Sequence, residues 1–322
     1  MFRARSIPLR WRVSRSRPPN RSYSMQNGGH LRSLGPIIWS IGACSTIYLS
    51  CAFFDVYRDA QRVKARGRVF KSFEELENSG RATVHGMSNI IPGTSNFERS
   101  EFSVPDDAYD PYSLTTRVMG LTAAAHISYS TQPTMKTYFE HVPASSRNFT
   151  LLTSTFGHAG LLHLGINLYG MFYLMPHASI APVLKGSDAH LTAFYLSAGI
   201  VSGLAHHLSA IWLQRGYLTP SLGASGALFA LLGIVGTSFP STQVGLIFLP
   251  GFSMRIDEAM AYIALFDAIG IFVRYPGLQF AHASHLCGLG LGVAYAKFGG
   301  DRKIWRPARK LGFKTMRALG LL

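Results

Sequence analysis

The chain has 322 residues, 48% of them hydrophobic and only 15% charged, where a soluble domain carries about 25% charged residues. A net charge of +15 sits at the two ends of an apolar body, which argues against a nucleic-acid surface and for targeting and membrane-flanking charge. Three cysteines, Cys44, Cys51 and Cys287, lie in apolar segments without a CxxC or Cys/His cluster, so they read as buried thiols rather than a disulfide scaffold or zinc module.

Residues 1–33 are rich in Arg and Ser, and residues 1–54 contain no Asp or Glu, the composition of a mitochondrial transit peptide. The sequence Arg21–Ser24 resembles the sites cut by the matrix processing peptidase and predicts cleavage after residue 23. A basic tail held on anionic lipid is the alternative. Residues 34–54 follow as an N-terminal transmembrane helix of about the length a bilayer core requires. Residues 55–112 are polar and of mixed charge, and read as an extramembrane linker with one short helix around residues 56–77.

The apolar body, residues 113–299, contains a weak span at 115–129, interrupted by Arg117 and His126. Stronger spans follow at 149–175, 191–213, 221–239, 259–273 and 281–298, with prolines marking the loops. Residues 244–249 are apolar but too short to span, and predict a re-entrant or interfacial piece. Residues 300–322 form a basic tail. The predicted fold is an all-α polytopic membrane protein, six core helices plus one extra N-terminal helix. Seven spans place the termini on opposite sides of the membrane, whereas both ends are basic and the positive-inside rule would place both in the matrix. Repeats of 20 to 50 residues are not visible.

Polar groups at membrane depth are costly and mark function. His163 and Asn167 are four apart and share a helix face, with His158 just before them. By itself such a pair more often cross-links helices than it catalyses. Ser225 lies between Ala224 and Gly226, just inside a span that is expected to start at Pro220–Ser221, where free N–H groups favour an anion. Gly223 and Gly226 leave room for a peptide bond; a small-residue packing face is the alternative. His285, Gly288 and Gly292 share one face, so the His285 helix can approach the Ser225 helix closely enough for imidazole to act as general base. Phe229, one turn after Ser225, is placed to pack on that ring.

From residue 149 to 298 the acids are Asp188, Asp257, Glu258 and Asp267. Asp267 is assigned to structural pairing, which leaves a Ser225–His285 dyad without a third member. His163, Asn167 and the Ser225 N–H are then the donors of an oxyanion hole. A transporter lined by His158, His163, His206, His207 and Asn167 is a rival that leaves the Ser225 and His285 motifs as coincidences.

In this order and in separate spans, Arg147, the HxxxxHxxxN element (His158, His163, Asn167), GxSG (Gly223–Gly226) and HxxGxxxG (His285–Gly292) resemble the rhomboid family of intramembrane serine proteases. The resemblance covers roughly residues 147–292. It implies a six-helix core, Ser225 as nucleophile, His285 as base, no cofactor or metal, and single-span membrane proteins as substrates. The extra N-terminal span, the transit peptide, His282 and Asp267 are similar to the mitochondrial, presenilin-associated type of rhomboid. That type implies an inner-membrane location and, as a candidate substrate, a dynamin-like fusion GTPase. The chain departs from the family at Ser146, where Trp is frequent, and at Phe229, where Tyr is frequent. A catalytically inactive rhomboid-like binding or escort factor is the alternative, although such relatives usually lack the serine or the histidine.

Overall fold

The structure, a computed structural model, describes residues 29–79, 81–84, 102–105, 110–145, 147–246, 249–273 and 281–322. The expected transit peptide and the departure at Ser146 lie outside the described residues. The described chain is mostly helical. Helix α1 (Gly29–Ala65) is followed by α2 (Phe73–Ser79) and a hairpin of β1 (Arg81–Val84) and β2 (Phe102–Pro105). Then come α3 (Pro111–Thr131), the short α4 (Lys136–Phe139) and α5 (Thr150–Thr153), α6 (Leu161–Ile180), α7 (Asp188–Trp212) and α8 (Ser225–Ser238). A second hairpin, β3 (Gln243–Leu246) and β4 (Leu249–Arg255), leads into α9 (Ile256–Phe272), α10 (His282–Lys297) and α11 (Arg306–Ala318).

Two segments, Ser33–Ala65 and Asp188–Trp212, are long and apolar enough to cross a bilayer; α8 is apolar but has only 14 residues. The purely helical expectation is corrected by the two hairpins. The second falls on the piece at 244–249 expected to be re-entrant or interfacial: β3 pairs antiparallel with β4 from Gln243↔Arg255, with a register shift at Gly245/Leu246. The three cysteines are free and only partly buried, a second correction.

The span at 115–129 is weak in sequence yet forms a well-ended helix. Asp110 caps it by accepting from the Tyr112 N–H at 2.8 Å, Pro111 occupies the first turn, and Arg117 is neutralised by Asp188 at 3.1 Å. The span 149–175 is interrupted: α5 and a 3-10 turn at Ser154–Phe156 precede α6. The main core lies where α6, α7 and α8 meet, around Met171, Met175, Phe194, Leu231 and Ile234.

A helix of 37 residues is about 55 Å long, well beyond a bilayer core of about 30 Å. The surplus end of α1 does not stand alone. Val56, Ala60 and Val63 pack with Phe73 and Leu76 of α2 and with Phe313 and Met316 of α11, forming a small second core. Residues 306–318, expected as tail, are therefore a helix whose apolar stripe is covered, and the apolar content of the 55–112 region is completed by the other end of the chain. Arg309 runs through this junction with no exposure, paired with Asp55 at 3.0 Å, Asp59 at 2.5 Å and Glu77 at 3.3 Å.

Candidate active site

Helix α8 starts four residues later than the sequence suggests. Ser221 is used in a backbone bridge to His141, donating its N–H at 2.8 Å and accepting at 2.9 Å, so the chain stays extended there. Gly223 then turns it with φ +129°, a conformation that favours glycine, and its N–H donates to Ser154 O at 2.9 Å. Ala224 is the cap and Ser225 the first helical residue. Its N–H belongs to the first turn of α8, whose N–H groups have no partner within the helix.

Ser225 Oγ lies 2.9 Å from His285 Nε2, across 60 residues of sequence. Glycines set that distance. A Cβ at Gly288 would strike the carbonyl of Gly226, and one at Gly292 the carbonyl of Ala230; a Cβ at Gly233 of α8 would sit 2.5 Å from Leu289 O. Helices α8 and α10 thus touch backbone to backbone, which any larger residue on that face prevents. Gly226 is itself enclosed: a Cβ would lie 2.5 Å from Ser202 Cβ and 2.6 Å from Ser284 Oγ. Phe229 stacks on the His285 ring with centroids 4.4 Å apart and planes at 28°.

His163 faces the same spot from α6. A Cβ at Gly223 would meet His163 Nε2 at 3.0 Å and Ser225 Oγ at 3.9 Å, so the imidazole fills the space that glycine leaves beside the serine. His163 Nδ1 accepts from the Ala159 N–H at 3.3 Å, which in a neutral ring leaves the proton on Nε2, the nitrogen turned toward Gly223. Asn167, one turn on and 3% exposed, donates its amide to His163 O at 2.8 Å. The contacts join Asn167 to His163, and among them is none to Ser225. His158 is fully buried, edge-on to His163 at 5.1 Å, and its Nε2 accepts from the Ala224 N–H at 3.5 Å. Arg147 stands apart: exposed, it donates to Thr137 O at 3.1 Å and holds α4 rather than the serine.

The expectation that no acid stands behind His285 is corrected. Asp267, on α9 and 1% exposed, places Oδ1 2.7 Å from His282 Nδ1 and 3.4 Å from His285 Nδ1, on the side away from Ser225. Sequence reading counted Asp267 only as a structural pair and gave no role to Ser154 or His141, because nothing in linear spacing brings those residues near the serine. Groups of three or more His, Cys, Asp or Glu able to hold a metal ion do not occur among the described residues.

A family model described as Rhomboid domain matches residues 145–302. The chain is 33% identical over 195 residues to the mitochondrial presenilin-associated rhomboid-like protein of Homo sapiens, covering 58% of this chain and 49% of that one. It is 27% identical over 296 residues to the mitochondrial presenilin-associated rhomboid-like protein A of Danio rerio, covering 86% and 73%. Against the mitochondrial Rhomboid protein 1 of Saccharomyces cerevisiae it is 30% identical over 150 residues, covering 45% and 40%. The chain spans about half the length of the mammalian relatives it matches.

Proposed function

We propose that this chain, which belongs to the rhomboid family, is an intramembrane serine protease of the mitochondrial inner membrane. Its substrates would be single-span membrane proteins, a dynamin-like fusion GTPase among the candidates. The six-helix core is α3, α6, α7, α8, α9 and α10, with α1 as the extra span. The observation that carries the reading is the 2.9 Å approach of Ser225 Oγ to His285 Nε2 at the first residue of an apolar helix.

In the reaction, Ser225 Oγ attacks the scissile carbonyl carbon while its proton passes to His285 Nε2. The carbonyl oxygen becomes an oxyanion, received by the Ser225 N–H and by His163 Nε2–H, with Asn167 reaching it through the amide hydrogen not spent on His163 O. The C–N bond breaks and His285 returns its proton to the leaving amine, leaving an ester on Ser225. Water then attacks the ester and His285 takes its proton; the Oγ–C bond breaks, His285 returns the proton to Ser225 Oγ, and the new carboxyl end leaves. Asp267 holds the Nδ1 side of His285 and shares its charge with His282. A helical substrate hides its carbonyls in its own hydrogen bonds, so helix-weakening residues are required near the cut.

The test is cleavage of a model single-span substrate by purified, detergent-solubilised chain, wild type beside Ser225→Ala and His285→Ala. Cleavage by the wild type alone supports the mechanism. Equal cleavage by Ser225→Ala sinks it, and a wild type inert toward substrates with helix-weakening residues points to an escort factor instead.

A further inference from the structure

The segment between α3 and α6 contributes one half of an imidazole pair that the acyl-transfer steps leave unused. His141 on that segment and His207 on α7 are each 1% exposed. His141 Nε2 lies 2.9 Å from His207 Nδ1, and His141 Nδ1 lies 2.8 Å from Thr150 Oγ1.

Counting hydrogens gives this chain of bonds a direction. Thr150 Oγ1 donates its single hydrogen to Arg147 O at 2.6 Å, so it can only accept from His141. His141 therefore carries its proton on Nδ1, its Nε2 is an acceptor, and His207 Nδ1–H must be the donor. Burial, with the neighbouring imidazoles of His207 and His206, pushes the His141 pKa down to about 3, which keeps the ring in the neutral form this arrangement needs.

The same residue also holds the approach to the nucleophile. His141 and Ser221 exchange both backbone hydrogen bonds, at 2.9 and 2.8 Å, four residues before Ser225. Gly223 bonds to Ser154 and Ala224 to His158, both on the 132–160 segment. The strip 221–224 is thus laced to that segment at three points, and the imidazole pair ties the segment to α7. Helix α7 packs on both α8 and α10. A pair of apolar side chains would fill the space, but would fix neither direction nor distance; a satisfied polar pair does both.

We propose that His141 and His207 are positioning residues for Ser225: their bond fixes the 132–160 segment and, through the pairing of His141 with Ser221, the strip that delivers Ser225 to His285 and His163. The inference rests on the acyl-transfer reading of the site and goes beyond it by assigning two residues outside the reacting groups.

The experiment measures kcat and KM separately on a model single-span substrate, together with amide hydrogen exchange of residues 216–226, using the full chain in detergent. His141→Ala and His207→Ala should each lower kcat about 10- to 100-fold, the cost of displacing a catalytic group by about 1 Å, with KM within about twofold. Both should hasten exchange at Ser221–Ala224, and the double variant should be no worse than either single one. His141→Gln places an amide oxygen near the Nε2 position and should restore most of kcat. His141→Asn keeps the Thr150 bond but falls short of α7, and should not. Wild-type kcat in both alanine variants, a change in KM alone, or equal rescue by Asn and Gln overturns the proposal. If the wild type cuts nothing, the protease reading falls, and exchange still decides: an unchanged Ser221–Ala224 strip in His207→Ala overturns the positioning role.

Discussion

Asp267 Oδ1 stands 3.4 Å from His285 Nδ1, on the edge of the ring opposite the one that meets Ser225. A nearer partner, His282 at 2.7 Å, shares the same oxygen. The carboxylate can therefore favour the imidazolium that forms when Ser225 gives up its proton, while its position is fixed by His282. Asp267→Asn keeps the shape and removes the charge. We expect kcat to fall about 10- to 100-fold, short of the roughly 10,000-fold loss in serine proteases whose carboxylate bonds the imidazole directly. Steady-state cleavage of the single-span substrate checks it, and an unchanged kcat would show that the charge behind His285 is not used.

The oxyanion assignment makes a separate prediction. His163 holds its Nδ1 as an acceptor from the Ala159 N–H, leaving Nε2–H beside Gly223. His163→Ala removes that donor and should cost about 100- to 1,000-fold in kcat with little change in KM, because the bond strengthens only as charge develops. Asn167→Ala should cost less, since one of its amide hydrogens is spent on His163 O. Equal losses in both would mean that the Asn167 amide turns fully to the substrate.

The helices that carry the site were legible in outline because each motif repeats on a helix face: His163 with Asn167, and His285 with Gly288 and Gly292. The glycine face announces a close approach, and the Ser225 helix expected as its partner is the one that packs there, α8. Asp267 was visible as a costly residue in an apolar helix, but its facing depends on how α9 docks beside α10, which periodicity in a nearly uniform apolar helix does not encode. The start of α8 was misread for a local reason. Ser221 looks like a cap, yet its backbone is taken by His141, 80 residues earlier in the chain. The second core was hidden because its halves lie at opposite ends of the sequence, with Asp59 and Arg309 250 residues apart.

Gly292→Ala tests whether the α8–α10 contact sets the catalytic distance. The added methyl meets the Ala230 carbonyl, a backbone atom that cannot turn aside. Overpacking of this kind costs about 1–3 kcal/mol. Thermal unfolding in detergent should report that loss, and cleavage should fall further than stability does, because separating the helices lengthens the 2.9 Å Ser225–His285 contact. Gly290→Ala is the control. A Cβ there has nothing within 4 Å, so stability and cleavage should both stay near wild type.

Arg309 gives the last prediction. Its guanidinium has no exposure and faces Asp55, Asp59 and Glu77, while Asp55 Oδ1 also accepts from Ser187 Oγ at 3.0 Å at the start of α7. One cation therefore joins the end of α1, α2 and α11, and Asp55 carries the link on to α7. Arg309→Met fills the space but removes the buried cation the three carboxylates share, leaving each its more exposed arginine: Arg58 on Asp55 at 3.3 Å, Arg62 on Asp59 at 3.9 Å and Arg306 on Glu77 at 3.0 Å. Removal of one partner of a buried ionic cluster costs up to about 3–5 kcal/mol, and those outer arginines hold the loss to the lower end. Arg309→Lys should recover little, because a single ammonium cannot reproduce a planar fork that meets three carboxylates at once. Limited proteolysis in detergent should then show α11 released at protease concentrations that leave the wild type intact. Replacing Asp55, Asp59 and Glu77 by their amides together with Arg309→Met removes the carboxylate repulsion, and since Arg58, Arg62 and Arg306 are the more exposed partners it should restore most of the resistance. If that combined variant is as labile as Arg309→Met alone, repulsion among the carboxylates is not the cause, and packing of the Arg309 side chain on Phe73, whose ring centroid lies 5.6 Å from the guanidinium, is what holds the junction.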